Sequence, residues 1–441
     1  MTNRYPPANY IRRVEIDELF GETSVKLVAP WMSDPRILVL YGDNGTGKTT
    51  ILNIIRSLIS SEAAGGHRSR LSEIPFSRAC VYLEGGGCIE ARKKDGLTGP
   101  YDLSVRASSE SESVHFYVKL RNGQIQHEYM GKDGRDRFNS LLSEIESIIP
   151  SVVYLDDKRT FSGSPRQSRS VSRSVVDGRL VRSVDEGEGR GDDPVTQCID
   201  ELTNAVRREA FFLSNRGNRD AQSIYTDLVK GITSFPESKV DDSIFEVRSV
   251  LEKLEEKSNY FSRYGLAAKI DHREMIEALE DSPEWQRVFV NSLVGPYVKT
   301  LSARLGAVEA LHRKIDVWVN SLNDFMVSKS FAFSVGEGAV ISSASGRKLF
   351  APSLSSGERH LILLLTKAFL LGTKGGVMIV DEPELSLNSS WQRRLIGSLL
   401  DMFAGGGCQL IVASHSLEIC SQYENQIMEL RDEWGTEETA W

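Results

Sequence analysis

Paired cysteines are missing from this 441-residue chain: Cys80, Cys88, Cys198, Cys408 and Cys420 stand apart, with no Cys-x-x-Cys among them. That excludes a disulfide framework and a cysteine zinc site, and leaves five reduced, mostly structural thiols. Long apolar runs are missing too, none approaching the ~20 residues a membrane helix needs. The first residues, Met1-Thr-Asn-Arg-Tyr-Pro-Pro, lack the apolar stretch of a signal peptide. The expectation is a cytoplasmic protein with no membrane partner. A strong excess of one charge is also absent: the formal net charge is −8, so a chain basic all over is excluded and any nucleic-acid contact needs a local patch. The length allows two or three domains with a substantial core.

What is present is organised around Gly42–Thr50. It reads Gly-Asp-Asn-Gly-Thr-Gly-Lys-Thr-Thr, a complete G-x-x-x-x-G-K-[ST] loop. The apolar run Ile37–Tyr41 precedes it, and Ile51–Arg56 follows with helical spacing, giving the strand, loop and helix that the motif requires. Glycines 42, 45 and 47 let the backbone curl so that N–H groups point at phosphate oxygens. Asn44, Gly45, Thr46, Gly47, Lys48, Thr49 and Thr50 therefore read as the nucleotide cradle. Lys48 supplies a point charge for the β- and γ-phosphates, and the Thr49 hydroxyl suits Mg²⁺. ATP with Mg²⁺ is the expected ligand.

Elsewhere the pattern changes several times. Tyr10–Ile16 and Ser24–Val28 read as a strand pair leading to the loop strand. Ala79–Leu83, Cys88–Arg92, Leu103–Ala107 and Val114–Leu120 read as a small antiparallel lobe, with a turn signal at Arg121-Asn-Gly-Gln124. Arg135–Ile148 has helical spacing and leads to a buried strand, Ser151–Leu155. Ser162–Asp193 is rich in Ser, Arg, Gly and Asp and cannot fill a core, which predicts a mobile loop. Arg166, Arg169, Arg173, Arg179 and Arg182 in its first half leave open a self-screening linker or a basic arm for nucleic acid or an acidic partner. From Pro194 to about Ser328 the periodicity is helical, and Glu246–Lys257 has the charged flanks and narrow seam of a short antiparallel coiled coil. Strands return at Phe331–Val335 and Ala339–Ser343.

A second motif cluster follows. Leu354-Ser-Ser-Gly-Glu-Arg-His360 opens an apolar helix, Leu361–Leu371. Then Val377-Met-Ile-Val-Asp-Glu-Pro-Glu384 delivers acids to the end of a buried strand, where ligands of open α/β sheets bind. Asp381 suits Mg²⁺ and Glu382 the polarisation of an attacking water, the two diverging by strand alternation. Gln409–Ser416 is another buried strand that ends in His415, a donor for charge developing on a γ-phosphate.

These four stretches resemble, in order, the Walker A, signature, Walker B with D-loop, and switch-histidine motifs of ABC-type ATPases, in the branch that holds SMC, RecF and OLD-like proteins. The resemblance covers roughly residues 10–60 and 330–420. It implies an α/β fold: an ABC-type P-loop head with a small antiparallel lobe and an inserted helical, short coiled-coil domain. The implied domains are 1–160 (head with Walker A and lobe), 161–193 (flexible loop), 194–329 (helical insertion) and 330–441 (the rest of the head). It implies an ATPase of the wider AAA kind whose heads form a homodimer around two ATP molecules, which higher homo-oligomers can extend. Ser355, Gly357 and Glu358 would belong to the signature that meets the γ-phosphate held by the partner head. Ser386, Leu387 and Asn388 would form the D-loop, and Glu382, with His415 and Lys48, would be catalytic. One position departs from the family: a magnesium-sensing glutamine is expected after Leu155, where Asp156-Asp157-Lys158-Arg159 stands, so Asp156, Asp157 or a residue elsewhere takes that part. Tyr5, Tyr10 and Tyr41 are equal candidates to stack on adenine.

About 330 positions separate Lys48 from Asp381, unlike a transporter nucleotide-binding domain. The 25 residues of Leu417–Trp441 are too few for the Toprim nuclease of an OLD protein. Two functions follow from the resemblance. One is the sensor ATPase of an antiviral system similar to the PARIS or Septu type, which holds or releases a separate nuclease or toxin effector in answer to DNA or a phage protein. The other is a RecF- or SMC-like clamp on duplex DNA, which needs a basic track.

Overall fold

A computed structural model of the chain describes residues 9–29, 34–43, 45–63, 66–121, 124–125, 131–156, 173–176, 179–182, 193–233, 243–281, 284–404 and 407–430. It divides into two compact units, Met1–Arg190 with Ser355–Trp441, and Gly191–Leu354.

The first unit holds two sheets. The antiparallel one runs β2-β1-β4-β5-β6-β7, from β1 (Ile11–Leu19), β2 (Thr23–Val28), β4 (Arg78–Leu83), β5 (Gly86–Lys93), β6 (Tyr101–Ser108) and β7 (Val114–Val118). The strand pair read before the loop is thus the edge of the lobe itself, because Val14 pairs with Leu27 on one side and Val81 on the other. The other sheet is parallel, in order β10-β16-β17-β3-β18: β3 (Ile37–Tyr41), β10 (Val152–Leu155), β16 (Gly376–Asp381), β17 (Cys408–Ser414) and β18 (Ile427–Glu429).

Helix α1 (Lys48–Ile59) packs on both sheets, which explains why its apolar stripe is broad, with Ile51, Leu52, Ile54, Ile55, Leu58 and Ile59 all buried. Leu38, Leu40, Val377, Ile379, Ile411 and Ala413 join it in a core shared with the lobe. Their neighbours Val39, Met378, Val380, Leu410 and Val412 are equally buried but lie outside that core, as strand alternation requires of a sheet covered on both faces. Helix α8 (Ser356–Gly372) also packs on β16. Gln409 stitches the two sheets: its amide donates to the carbonyls of Ile11 (3.0 Å) and Pro35 (2.9 Å), and its oxygen accepts from Ile11 N–H (2.8 Å).

Helices α2 (His67–Glu73) and α3 (Gly131–Ile148), strands β8 (Leu120–Arg121) and β9 (Gln124–Ile125), α9 (Ser389–Met402) and the short α10 (Leu417–Cys420) complete this unit. The Ser162–Asp193 segment departs from the expectation of a loop throughout. Its middle forms an antiparallel pair, β11 (Arg173–Val176) and β12 (Arg179–Arg182). Asp177-Gly178 between two valine-bearing runs is the hairpin signal that explains it.

The second unit contains α4 (Pro194–Thr233), α5 (Ser243–Ser262), α6 (Arg273–Glu280), α7 (Glu284–Phe325) and a three-stranded sheet of β13 (Lys329–Ser334), β14 (Gly338–Ser343) and β15 (Lys348–Leu349). Arg207 of α4 donates to the carbonyls of Val335 and Gly336, and Asn323 near the end of α7 brackets Phe331. The start of α4 and the end of α7 therefore meet one hairpin, and the two long helices run antiparallel. The seam at Glu246–Lys257 is different: α5 packs on α7 in parallel, since Lys257–Glu309 and Tyr264–Asp316 share the separation of 52 positions. The antiparallel expectation for that stretch is corrected, because the chain runs through α6 before α7 starts.

Candidate functional site

The phosphate loop lies between buried β3 and the start of α1. Gly45 (φ 95°) and Gly47 (φ 85°) adopt the left-handed backbone that the curl requires and that other residues resist. No side chain caps α1, so its first N–H groups are available to an anion. Lys48 is buried, and its ammonium donates to the loop carbonyls of Gly42 (2.6 Å) and Asp43 (2.8 Å). Those bonds hold the charge inside the curl. Thr46 donates to Asp43 O at 2.9 Å, Thr49 is exposed and Thr50 half-buried; Asn44 lies outside the described residues.

The second motif cluster meets the loop directly. Thr49 Oγ1 donates to Asp381 Oδ2 at 2.7 Å, across 332 positions of sequence. Asp381 ends β16 with 2 % exposure. A hydroxyl beside a buried carboxylate is the hard-oxygen donor pair that suits Mg²⁺, so the residues fit that ion. The next residue, Glu382, has φ 50°, a strained backbone of the kind that concentrates at functional sites. Its carboxylate is a quarter exposed and lies 3.8 Å from His415 Nδ1, whose ring is 45 % exposed.

Sequence reasoning assigned nothing to Glu384, yet the structure puts it at the centre of the switch loop. This buried carboxylate accepts from Ser414 Oγ (2.7 Å) and His415 N–H (2.9 Å), and lies 3.2 Å from His415 Nδ1. The signal was present as the second acid after Pro383.

The signature residues have clear local duties. Ser355 caps α8, accepting from Glu358 N–H at 3.3 Å while Glu358 accepts from Ser355 N–H at 2.7 Å, a complete capping box. Gly357 packs against the loop after β16: a Cβ there would sit 2.6 Å from Ser386 O and 3.3 Å from the Trp391 ring. Asn388 caps α9, accepting from Trp391 N–H at 2.9 Å. The structure thus brings Thr49 to Asp381, His415 to Glu382, and Gly357 to the loop of Ser386.

At the departing position, Asp156 follows β10 and its charge acts on Arg56 and Tyr154; Asp157 lies outside the described residues. The buried Arg56 guanidinium sits 4.6 Å from the Tyr154 ring centre, and burial pulls its pKa down. Burial, then the Asp381 charge, pushes the Tyr154 hydroxyl up. Of the adenine candidates, Tyr5 lies outside the described residues, Tyr10 faces Arg36 and Asp34, and Tyr41 ends β3. A fourth aromatic went unread: Phe20, in the β1–β2 turn at φ 58°, is half exposed, and its ring edge lies 3.9 Å from where a Gly47 Cβ would stand.

Residues 341–421 match a family model described as "AAA domain, putative AbiEii toxin, Type IV TA system". Among curated proteins the chain is similar to the trehalose/maltose import ATP-binding protein MalK of Thermococcus litoralis, 24% identical over 178 residues, which are 40% of this chain and 44% of that protein. It is also similar to a tyrosine transport ATP-binding protein of Clostridioides difficile, 27% identical over 180 residues, 40% of this chain and 67% of that one. The chain therefore spans less than half the length of the first of these. Among solved structures, an SMC head domain with an extended coiled coil bound to the C-terminal domain of ScpA, from Pyrococcus furiosus, aligns with TM-score 0.42 at 13% identity over 96% of this chain and 94% of that one. The α/β fold, the phosphate loop and the match over residues 341–421 are together those of a P-loop nucleotide-binding head similar to AAA/ABC-type ATPases. Among the described residues, no helix is long and apolar enough to cross a membrane.

Proposed function

We propose that this chain hydrolyses ATP in a head that dimerises on nucleotide, and that the cycle holds or releases a separate nuclease or toxin effector in defence against phage. The observation that carries the hydrolytic part is the 2.7 Å bond from Thr49 to Asp381, which unites the phosphate loop with the acidic strand. The matched family description over residues 341–421 supports the defence part. The domains are 1–160, 161–193, 194–329 and 330–441, with the head built from the first and last.

In the cycle, Lys48 exchanges the carbonyls of Gly42 and Asp43 for β- and γ-phosphate oxygens, and the N–H groups of residues 44–50 cradle the chain of phosphates. Phe20 stacks on adenine. Thr49 and Asp381 would hold Mg²⁺, which neutralises phosphate charge when bound. Glu382 orients a water and accepts its proton as the water oxygen bonds to the γ-phosphorus. The bond to the β-phosphate oxygen breaks, and ADP and phosphate leave. His415 donates to the γ-phosphate as charge builds on it. Ser355, Gly357, Glu358 and Asn388 act on the nucleotide of the partner head.

A DNA clamp is the weaker alternative. The charged face of the lobe is self-neutralised where it is described: Arg12 pairs with Glu84, Arg78 with Glu15, Asp17 and Glu90, and Lys94 with Asp102. The deciding experiment uses the Glu382→Gln protein purified from its own host with ATP and Mg²⁺. A stoichiometric second chain that cuts nucleic acid or arrests growth once nucleotide is removed supports the defence reading. Duplex DNA alone, lost steeply with salt, overturns it in favour of the clamp.

A further inference from the structure

Glu382 and Glu384 both approach the switch histidine, and they are not equivalent. Glu382 Oε1 is 3.8 Å from His415 Nδ1, beyond hydrogen-bond reach, on a side chain a quarter exposed. Glu384 Oε1 is 3.2 Å from the same nitrogen and also takes the Ser414 hydroxyl and the His415 peptide N–H. Its second oxygen is buried and has no hydrogen-bond partner among the described residues. Two donors, the Ser414 hydroxyl and the His415 peptide N–H, therefore converge on one oxygen of a carboxylate withdrawn from water, with Nδ1 beside it, a geometry that fixes the loop strongly. A carboxylate can only accept, so an oxygen 3.2 Å from Nδ1 favours the tautomer with its hydrogen on Nδ1, and Nε2 is the nitrogen left over on a half-exposed ring.

The same carboxylate is tied to the loop after β16 by a second route. Ser416 N–H donates to Ser414 Oγ (3.0 Å), and Ser416 Oγ donates to Gln392 Oε1 (2.7 Å). Gln392 Nε2 then donates to Leu387 O (2.9 Å). Ser416 Oγ has a second, longer acceptor in Glu418 Oε2 (3.4 Å), and the shorter bonds link the loop that carries His415 and the loop of Leu387 into one hydrogen-bonded unit.

From this we infer that Glu384 is the positioning residue of His415: it fixes Nδ1 as the protonated nitrogen and leaves Nε2 to face the reacting phosphate. Glu384 itself touches no substrate. The inference rests on the hydrolytic reading of the site, and its first test does not.

Full-length protein labelled with ¹⁵N-histidine and free of nucleotide would be studied by long-range ¹H–¹⁵N correlation, with His415 assigned by its loss in His415→Ala. A proton on Nδ1 is expected in the wild type and in Glu384→Gln, whose amide oxygen still accepts, and its transfer to Nε2 in Glu384→Ala. A wild-type ring protonated only at Nε2, or no change in Glu384→Ala, overturns the proposal. The second test is kinetic: Glu384→Ala and His415→Ala each lower kcat by about a hundredfold, the scale for a lost charge-stabilising donor, with KM for ATP within about twofold. In the His415→Ala background, Glu384→Ala adds nothing. An additive loss there means that Glu384 acts otherwise than through His415 and sinks the inference. Absent hydrolysis by the wild type would instead count against the function, leaving the spectroscopic result to judge Glu384.

Discussion

Gly357→Ala tests how the signature helix is built. A Cβ at this position would stand 2.6 Å from the carbonyl oxygen of Ser386, a distance real side chains do not show, and 3.3 Å from the Trp391 ring. Relief needs the loop to move by several tenths of an ångström, and Ser386 is already at φ 65°, with little freedom to absorb it. Overpacking of this kind costs about 1–3 kcal/mol. At ~2–4 °C per kcal/mol for a body of this size, the melting temperature falls by about 2–12 °C. Gly397→Ala supplies the control, because it lies inside α9 with no atom within 4 Å of its added Cβ. There the helix gains about 1 kcal/mol from the better helix former, and the melting temperature rises by about 2–4 °C. Thermal unfolding of the nucleotide-free protein reads both. Equal melting of Gly357→Ala and wild type would refute the packing argument and leave the glycine to a role at the nucleotide alone. A fall in both variants would refute the premise that open space around Cβ decides the sign.

Four further outcomes follow from named contacts. Glu382→Gln should bind ATP and accumulate closed dimers while hydrolysis falls by at least about a hundredfold; turnover at the wild-type rate removes Glu382 from the chemistry. Ser355→Arg should bind ATP as a monomer yet fail to dimerise by sedimentation, and normal ATP-dependent dimers would remove the signature from the interface. Phe20→Ala should weaken ATP binding several-fold, on the scale of about 1 kcal/mol for a stacked base, and leave tripolyphosphate binding unchanged; equal losses for both ligands would place the ring's effect on the loop instead of on adenine. Lys93 gives a pH signature: burial pulls its ammonium down to about 8 from its ordinary 10.5. Between those values the unfolded chain holds more protons than the folded one, so stability contributed by this group rises with pH. Chemical denaturation across that window should show a rise in the wild type that Lys93→Met lacks, and an identical slope in both would contradict the burial argument.

Which elements could be read in advance follows from what holds them. β3, β16 and β17 are continuous apolar runs because the sheet is covered on both faces, and the apolar face of α1 is broad because it packs on two sheets. Both facts are written in the residues. The membership of β1 and β2 in the lobe was not, since pairing Val14 with Val81 is a choice among strands that alternation alone leaves open. The direction of α5 on α7 failed for a related reason: a seam of apolar residues says that a helix has a partner, while the path of the connecting chain says which way the partner runs. The hairpin of β11 and β12 was legible, but the surrounding Ser/Arg composition outweighed a two-residue turn signal.

At the site, residues whose chemistry is their own can be proposed from type and spacing: Lys48, Thr49, Asp381, Glu382 and His415. Thr49 and Asp381 are 332 positions apart and one hydrogen bond apart, and the motifs alone bridged that gap. Glu384 and Phe20 escaped because their parts depend on where another residue ends up. A second acid after proline carries no message until Ser414 and His415 are folded against it, and a phenylalanine in a turn none until Gly47 lies beside it. Ser355, Glu358 and Asn388 show the converse: residues read for a partner's nucleotide also cap α8 and α9. A capping hydroxyl and amide are held at helix ends facing outward, so one sequence requirement can start the helix and present the same residues to a second head. In the proposed dimer, substitution there would couple folding to dimerisation, which is why Ser355→Arg must be judged by ATP binding in the monomer as well as by the dimers it is expected not to form.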